Sequence, residues 1–268
     1  MIGTASYNAP IWEAVAIQRR VIGALILREL HTRFGRDNIG YLWMFVEPAI
    51  LSVAVVFMHL VSNMAHLPHS MQVASFALSG YVPFLLFRNI VLRAGPTIES
   101  NRTLLYHRFI SLMDLHVSRA MLEFVSVIAT YLLLLGLFAA FGMASLPDRP
   151  LESLVGFTLL TWMSTGLGMI LSAAVEKADV IERFIHPITY IALPMSGAFS
   201  LMEWLPKPVQ EALWWFPLSH AFEVIREGQF GDFESKFANI PYALTCCVVL
   251  TFFGLLALRA VRPYVHAS

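Results

Sequence analysis

Ser196 sits in the short stretch "PMSG", Pro194 to Gly197, inside an apolar region, where a membrane-buried serine nucleophile would be placed. Such a nucleophile needs a histidine base within hydrogen-bond reach. His186 lies ten residues earlier on the same predicted helix, roughly 15 Å away along the axis. The last apolar segment has no histidine, and the position two before Ser196 is Pro194 rather than glycine, so the pattern of a serine protease is not met. Asp114 and Glu123 are isolated carboxylates and read as structural. The nine histidines form no ligand cluster, and the two cysteines, Cys246 and Cys247, are adjacent in an apolar block without metal or disulfide spacing. No metal is assigned. No Gly-x-x-x-x-Gly-Lys-Ser/Thr phosphate loop occurs. The reading is of a chain with no catalytic site and no cofactor of its own; if nucleotide drives its work, another chain holds the ATP and Mg.

The polar residues that remain are notable for their apolar setting. "RFGRDNIGYLWMFVEPAI", Arg33 to Ile50, passes from charged to apolar and then places Glu47-Pro48 just inside the apolar part. Pro48 cannot donate to the carbonyl of Met44, so a helix through it kinks or restarts. A restart at Pro48 leaves only about 15 residues to Ser62, too few for comfort, and a continuous kinked helix is the expectation. A carboxylate at the depth of Glu47 is expensive in lipid and calls for protein, water or a cation beside it. Arg88 falls at similar depth in the next apolar segment, and a Glu47–Arg88 ion pair is the expected solution.

These residues must be positioned by helices. The 268-residue chain is 57% hydrophobic and only 13% charged, with mean hydropathy +0.67, against roughly a quarter charged in a soluble domain. Its apolar residues fall in blocks of about 20, the length that crosses a ~30 Å hydrocarbon layer as helix. The fold class is therefore an all-α polytopic membrane protein with six spans, near 42–62, 73–92, 120–142, 153–175, 184–202 and 240–258. An amphipathic helix over about Ile11 to Phe34 is too weakly apolar to span and is expected along the membrane surface. The resulting division is an N-terminal segment 1–41, a transmembrane domain 42–258 and a tail 259–268. No cleaved leader is expected, because no apolar core with a small-residue cleavage site follows a basic start. Thirteen Lys and Arg fall on the side shared by both termini and four on the other (Arg149, Lys207, Arg226, Lys236), which makes the termini cytoplasmic.

Two connections carry more than a tether needs. In "IESNRTLLYHRFISLMDL", about 98–115, Leu105, Phe109 and Met113 recur every four residues, the spacing of one helix face, with Arg102, His107 and Arg108 at polar positions. Such a helix lies on the membrane or docks its apolar face in a partner's groove. "EKADVIER", Glu176 to Arg183, is a second contact candidate or a solvated turn. The outer segment 203–231 holds Trp204, Trp214 and Trp215 among four prolines. Pro206 and Pro208 suit the start of a helix ending near Trp215, and Pro217 begins another reaching about Gln229. Neither spans; they form a re-entrant or surface hairpin, with Glu223 and Arg226 spaced i, i+3 to pair.

With "LRELHTRFGRDNIGYLWMFVEPAI", the amphipathic second connection, "LPMSGAFSLMEWLP" and "FPLSHAFEVIREGQF" in place, the chain resembles the permease subunit of bacterial ABC type-2 exporters of capsular polysaccharide, over about Val21 to Leu258. Where that family usually has Asn before Pro-Leu in the outer segment, this chain has Phe216. The resemblance implies two copies of the permease joined to two ATP-binding subunits in the inner membrane. It also implies passage of a lipid-linked, usually acidic, polysaccharide outwards to periplasmic and outer-membrane export proteins. The coupling helix for the ATPase would then include Arg102, Leu104, Leu105, Tyr106, His107, Arg108 and Phe109. The path would be lined from the first, second and fifth spans, by Tyr41, Trp43, Phe45, Glu47, Pro48, Phe84, Phe87, Arg88, Tyr190 and Phe199. Aromatic faces suit a sliding sugar chain, although aromatics in spans also serve packing and the interfacial belt. Arg28, Arg33 and Arg36 at the entrance would hold the substrate's anionic group, or simply follow the positive-inside rule. The alternatives are a type-2 exporter of O-antigen, teichoic acid, lipid or drug, and a structural or channel subunit without nucleotide drive.

Overall fold

The computed structural model describes residues 11–34, 40–61, 71–105 and 110–265. Among the described residues, ten α-helices run in the order α1 (Ile11–Phe34), α2 (Gly40–Val61), α3 (Val73–Ala94), α4 (Arg102–Leu105), α5 (Leu112–Ala140), α6 (Pro150–Lys177), α7 (Val180–Met195), α8 (Lys207–Trp214), α9 (Pro217–Gln229) and α10 (Ile240–Val265). Short 3-10 turns occupy Gly95–Thr97, Glu99–Asn101 and Met202–Trp204. Among the described residues none is in a strand. By length and composition, α3, α5, α6 and α10 are able to cross a membrane. The apolar part of α2, Pro48–Val61, and the 16 residues of α7 are shorter.

Local chemistry explains most of the boundaries. α1 is helical over all of the expected Ile11–Phe34, and α2 runs unbroken through Pro48. The Ser111 hydroxyl accepts from the Asp114 amide while the Asp114 carboxylate accepts from the Ser111 amide, a reciprocal cap that starts α5. Pro150, Pro208 and Pro217 occupy first-turn positions of α6, α8 and α9, where their missing N–H costs nothing. The fifth apolar helix differs from the expected 184–202: it begins four residues earlier and stops at Met195. Gly197, at φ +79°, takes the left-handed conformation that ends helices, and the chain then turns into the bundle.

α3 is the central helix, with 78% of its apolar window buried, whereas only 22% of the corresponding window of α10 is. One core cluster joins Leu78, Val82 and Leu86 of α3 to Val127 and Leu134 of α5, Leu160 of α6 and Phe222 and Ile225 of α9. A second, at the end carrying α1 and α4, joins Leu25, Ile98, Leu105, Leu115, Met169 and Leu258. The outer faces of α5, α7 and α10 expose Leu133, Ile191, Phe252 and Phe253. A contiguous apolar skin of this kind belongs against hydrocarbon, not water.

The two helices of the hairpin divide: α8 buries only Leu213 and stays at the surface, whereas α9 is inserted into the bundle. Eleven of the thirteen residues of α9 are buried, and the helix packs between α6, α3 and α10. Non-spanning backbone inside a membrane domain is tolerated where protein surrounds it. The close approach depends on glycine. A Cβ on Gly228 would lie 2.2 Å from the Ser153 amide nitrogen of α6, and one on Gly156 of α6 would lie 2.9 Å from the Ala221 carbonyl oxygen of α9.

Candidate functional site

At the end of the bundle carrying α1 and α4, polar side chains knit α1, α3 and α5 together. Glu29 of α1 pairs with Arg119 of α5, Nε to Oε1 at 3.2 Å. Arg119 Nη1 also donates to the Arg93 carbonyl and to the Thr97 hydroxyl, at 3.1 and 2.6 Å. Arg93 of α3 faces Glu123 of α5 at 3.4 Å, and Asn89 Nδ2 donates to the same carboxylate at 3.3 Å. Gln18 of α1 donates to Asp114. The two carboxylates read as structural are indeed so used, though neither is isolated.

The predicted coupling segment lies here but is not one helix. The 3-10 turn Glu99–Asn101 leads into α4, which ends at Leu105, and Ser111 is extended (φ −99°, ψ 157°) before α5 begins. Leu105 is buried against Leu25, Ile98 and Leu115, whereas Met113 belongs to α5 and is exposed. The four-residue spacing that placed them on one face is broken by the Ser111 cap, whose reciprocal bonds favour a new helix start over continuation. Tyr106, His107, Arg108 and Phe109 lie outside the described residues. Arg102 Nη2 meets Glu176 Oε1, near the end of α6, at 2.9 Å. This ties α4 to the "EKADVIER" segment at the end of α6. Arg102→Glu is expected to lower stability by about 0.5–1 kcal/mol, since the arginine is half exposed. The swap Arg102→Glu with Glu176→Arg should return most of it, measured by thermal unfolding of the purified chain in detergent.

The entrance arginines divide. Arg28 Nη1 donates to the Asn101 side-chain oxygen at 2.7 Å, fastening α1 to the turn before α4. Arg33 is in α1 with its side chain outside the description, and Arg36 lies outside the described residues. Of the path residues, Tyr41, Trp43 and Glu47 are placed on α2, but their side chains are not described. The Glu47–Arg88 pair therefore lies outside the described contacts. Pro48 is buried and Phe45 is half-buried on the same helix. Phe84 and Phe87 are 2% and 3% exposed, packed in the core with their rings 6.2 Å apart. α3 is the central helix, and in this chain the two rings fill space between its neighbours. Tyr190 of α7 is exposed and carries the Arg88 guanidinium 5.6 Å from its ring centre. Phe199 is half-buried, 6.0 Å from the ring of His59.

At the opposite end a second polar hub fastens α9. Arg226 and Glu223 are both fully buried and face each other at 3.6 Å. Arg226 donates to the carbonyls of Ser200 and Ala198 at 2.8 and 3.0 Å and lies over Phe76 of α3, 4.6 Å from its centre. Glu223 accepts from the Met202 amide and the Ser235 hydroxyl at 3.2 and 2.6 Å. Gln229 takes a bond from the Tyr131 hydroxyl of α5 at 2.6 Å and donates to the Ser145 carbonyl at 2.9 Å. The i, i+3 spacing foretold the pair but not its burial. The glycines that admit α9 passed unnoticed in the sequence, because nothing local distinguishes them.

The described residues thus form an all-helical polytopic membrane domain in which the non-spanning α9 is buried among spanning helices. Residues 20–230 match the ABC-2 type transporter family, and the chain belongs to it. It is 34% identical, over 94% of both chains, to the capsule polysaccharide export inner-membrane protein CtrC of Neisseria meningitidis serogroup B. It is 31% identical to BexB of Haemophilus influenzae, another capsule polysaccharide export inner-membrane protein, over 92% of this chain and 93% of that one. The polysialic acid transport protein KpsM of Escherichia coli is 29% identical over 91% of this chain and 94% of that one.

Proposed function

We propose that this chain is the membrane subunit of an ATP-driven exporter that moves lipid-linked, acidic capsular polysaccharide across the bacterial inner membrane. The observation that carries the reading is the near full-length similarity to three kinds of capsule and polysialic acid export protein. Two copies work with two ATP-binding subunits, which bind the ATP and Mg; this chain supplies no catalytic site. The termini face the cytoplasm, in keeping with thirteen basic residues on their side against four on the other. α4, Arg102 and the segment that follows receive the push of the ATPase. The path is built around α2 and α7, with Phe45, Glu47, Pro48, Tyr190 and Phe199 on it and Arg88 of α3 beside it.

Deleting the gene should remove surface capsule and leave lipid-linked polymer inside the cell, with recovery on returning the wild-type chain. Retention of capsule with loss of a different surface glycan would overturn the assignment of substrate. Leu105 is buried, so changing it tests folding as much as coupling; Leu104, half-buried on the same turn, is the better probe. Leu104→Asp is expected to cut co-purification of the ATP-binding subunit about tenfold, the equivalent of ~1.4 kcal/mol, while the chain stays monodisperse.

A further inference from the structure

Between α1, α3, the 3-10 turns and α5 lies a cavity of about 320 Å³, lined chiefly by Glu29, Arg88, Asn89, Arg93, Ser100 and Arg119. Its volume is at the small end of ligand sites and fits a headgroup, not a polymer. Two of its three guanidinium groups are held in place by carboxylates: Arg119 by Glu29 and Arg93 by Glu123. Arg88 is not. Its Nε is buried and meets no hydrogen-bond acceptor among the described residues, and the Tyr190 ring lies 5.6 Å from the guanidinium centre. A buried donor without an acceptor is costly, and an oxyanion reaching it removes that cost. Arg88 is six residues from the end of α3 at Ala94, roughly 9 Å along the helix. An arginine that far inside a span is expensive in lipid and calls for an anion or water beside it.

We propose that this cavity is a phosphate-binding site in which Arg88 and Arg93 bind the phosphate that joins the exported chain to its lipid, and Arg119 and Glu29 position them. The proposal deepens the exporter reading and rests on it. Site and reading are separable, because the site is read by binding alone.

The test uses the full chain in an uncharged detergent, with bound lipid counted by native mass spectrometry. The probes are dioctanoyl phosphatidic acid, dioctanoylglycerol, which lacks the phosphate, and inorganic phosphate. Phosphatidic acid is expected to bind and dioctanoylglycerol not. Arg88→Gln should weaken binding ten- to hundredfold, Arg88→Lys less, and Arg259→Gln, on the exposed tail of α10, not at all. Competition by inorganic phosphate identifies a site for phosphate from either source; binding of phosphatidic acid without it makes the lipid the source. If Arg88→Gln is not monodisperse, Arg93→Gln replaces it with the same expectation. Equal binding of phosphatidic acid and dioctanoylglycerol, or binding unchanged in the folded variant, overturns the site. Intact binding in a chain whose deletion leaves the capsule unaltered would keep the site and remove the exporter reading.

Discussion

Arg226→Met is expected to cost about 3–5 kcal/mol, because it strands the Glu223 carboxylate in the bundle without its cation. The same change leaves the carbonyls of Ala198 and Ser200 without the two guanidinium donors they now have. Both groups of the pair are fully buried, so water cannot take over either role without opening the hairpin. Adding Glu223→Gln should recover at least half of the loss. The amide oxygen still accepts from the Met202 amide and the Ser235 hydroxyl, and the uncompensated charge is gone. Unfolding of the purified chain in a graded denaturing detergent provides the measurement. A loss below about 1 kcal/mol in the single variant would mean that the pair is already hydrated, contrary to its burial.

Gly80→Ala is expected to be similarly severe, at or beyond the upper end of the ~1–3 kcal/mol usual for overpacking. A Cβ there would lie 1.8 Å from the Ala198 carbonyl oxygen and 3.2 Å from Arg226 Nη2. The obstruction is backbone, so α3 or the turn after α7 has to move by more than an ångström, and Arg226 loses its alignment with it. Gly136→Ala in α5 is the matched control. Nothing lies within 4 Å of its added Cβ, and exchanging glycine for alanine inside a helix should leave stability unchanged or raise it by up to ~1 kcal/mol. Equal melting temperatures for the two variants would refute the close packing of α3 on that turn.

Much of the helix pattern was legible. α1 is helical over all of its foreseen range, α2 passes through Pro48 unbroken, and the prolines at 208 and 217 open α8 and α9. These features depend on local chemistry: apolar blocks, missing amides and turn residues. Legibility stopped where two local signals competed. Leu105 and Met113 share helical spacing, yet the Ser111–Asp114 cap starts a new helix between them. The fifth apolar stretch reads as a span to residue 202, yet Gly197 and the two carbonyls held by Arg226 turn the chain inward at 196.

The candidate site was legible as residue types and not as partners. Arg93, Arg119 and Glu123 counted only as charges or as a lone carboxylate, because the residues that join them come from helices far apart in the chain. Glu29 and Arg119 are separated by ninety positions, and only the packing of α1 on α5 brings them to 3.2 Å. Phe84 and Phe87 illustrate the converse. Their aromatic character suited a sugar path, and the central place of α3 packs them in the core of this chain.

By itself, then, the sequence determined the class of protein. Composition makes a membrane bundle unavoidable, since so many apolar residues in blocks of spanning length have no other place to be buried. Proline, glycine and capping residues set most helix ends. Only the tertiary structure decided which of the helices is central, that α9 is buried and not laid on the surface, and that Arg226 and Glu223 meet away from water. It also left the Nε of Arg88 without an acceptor among the described residues, beside a cavity. Burial and pairing depend on what the rest of the chain brings within a few ångströms, and neither hydropathy nor spacing along one helix carries that information.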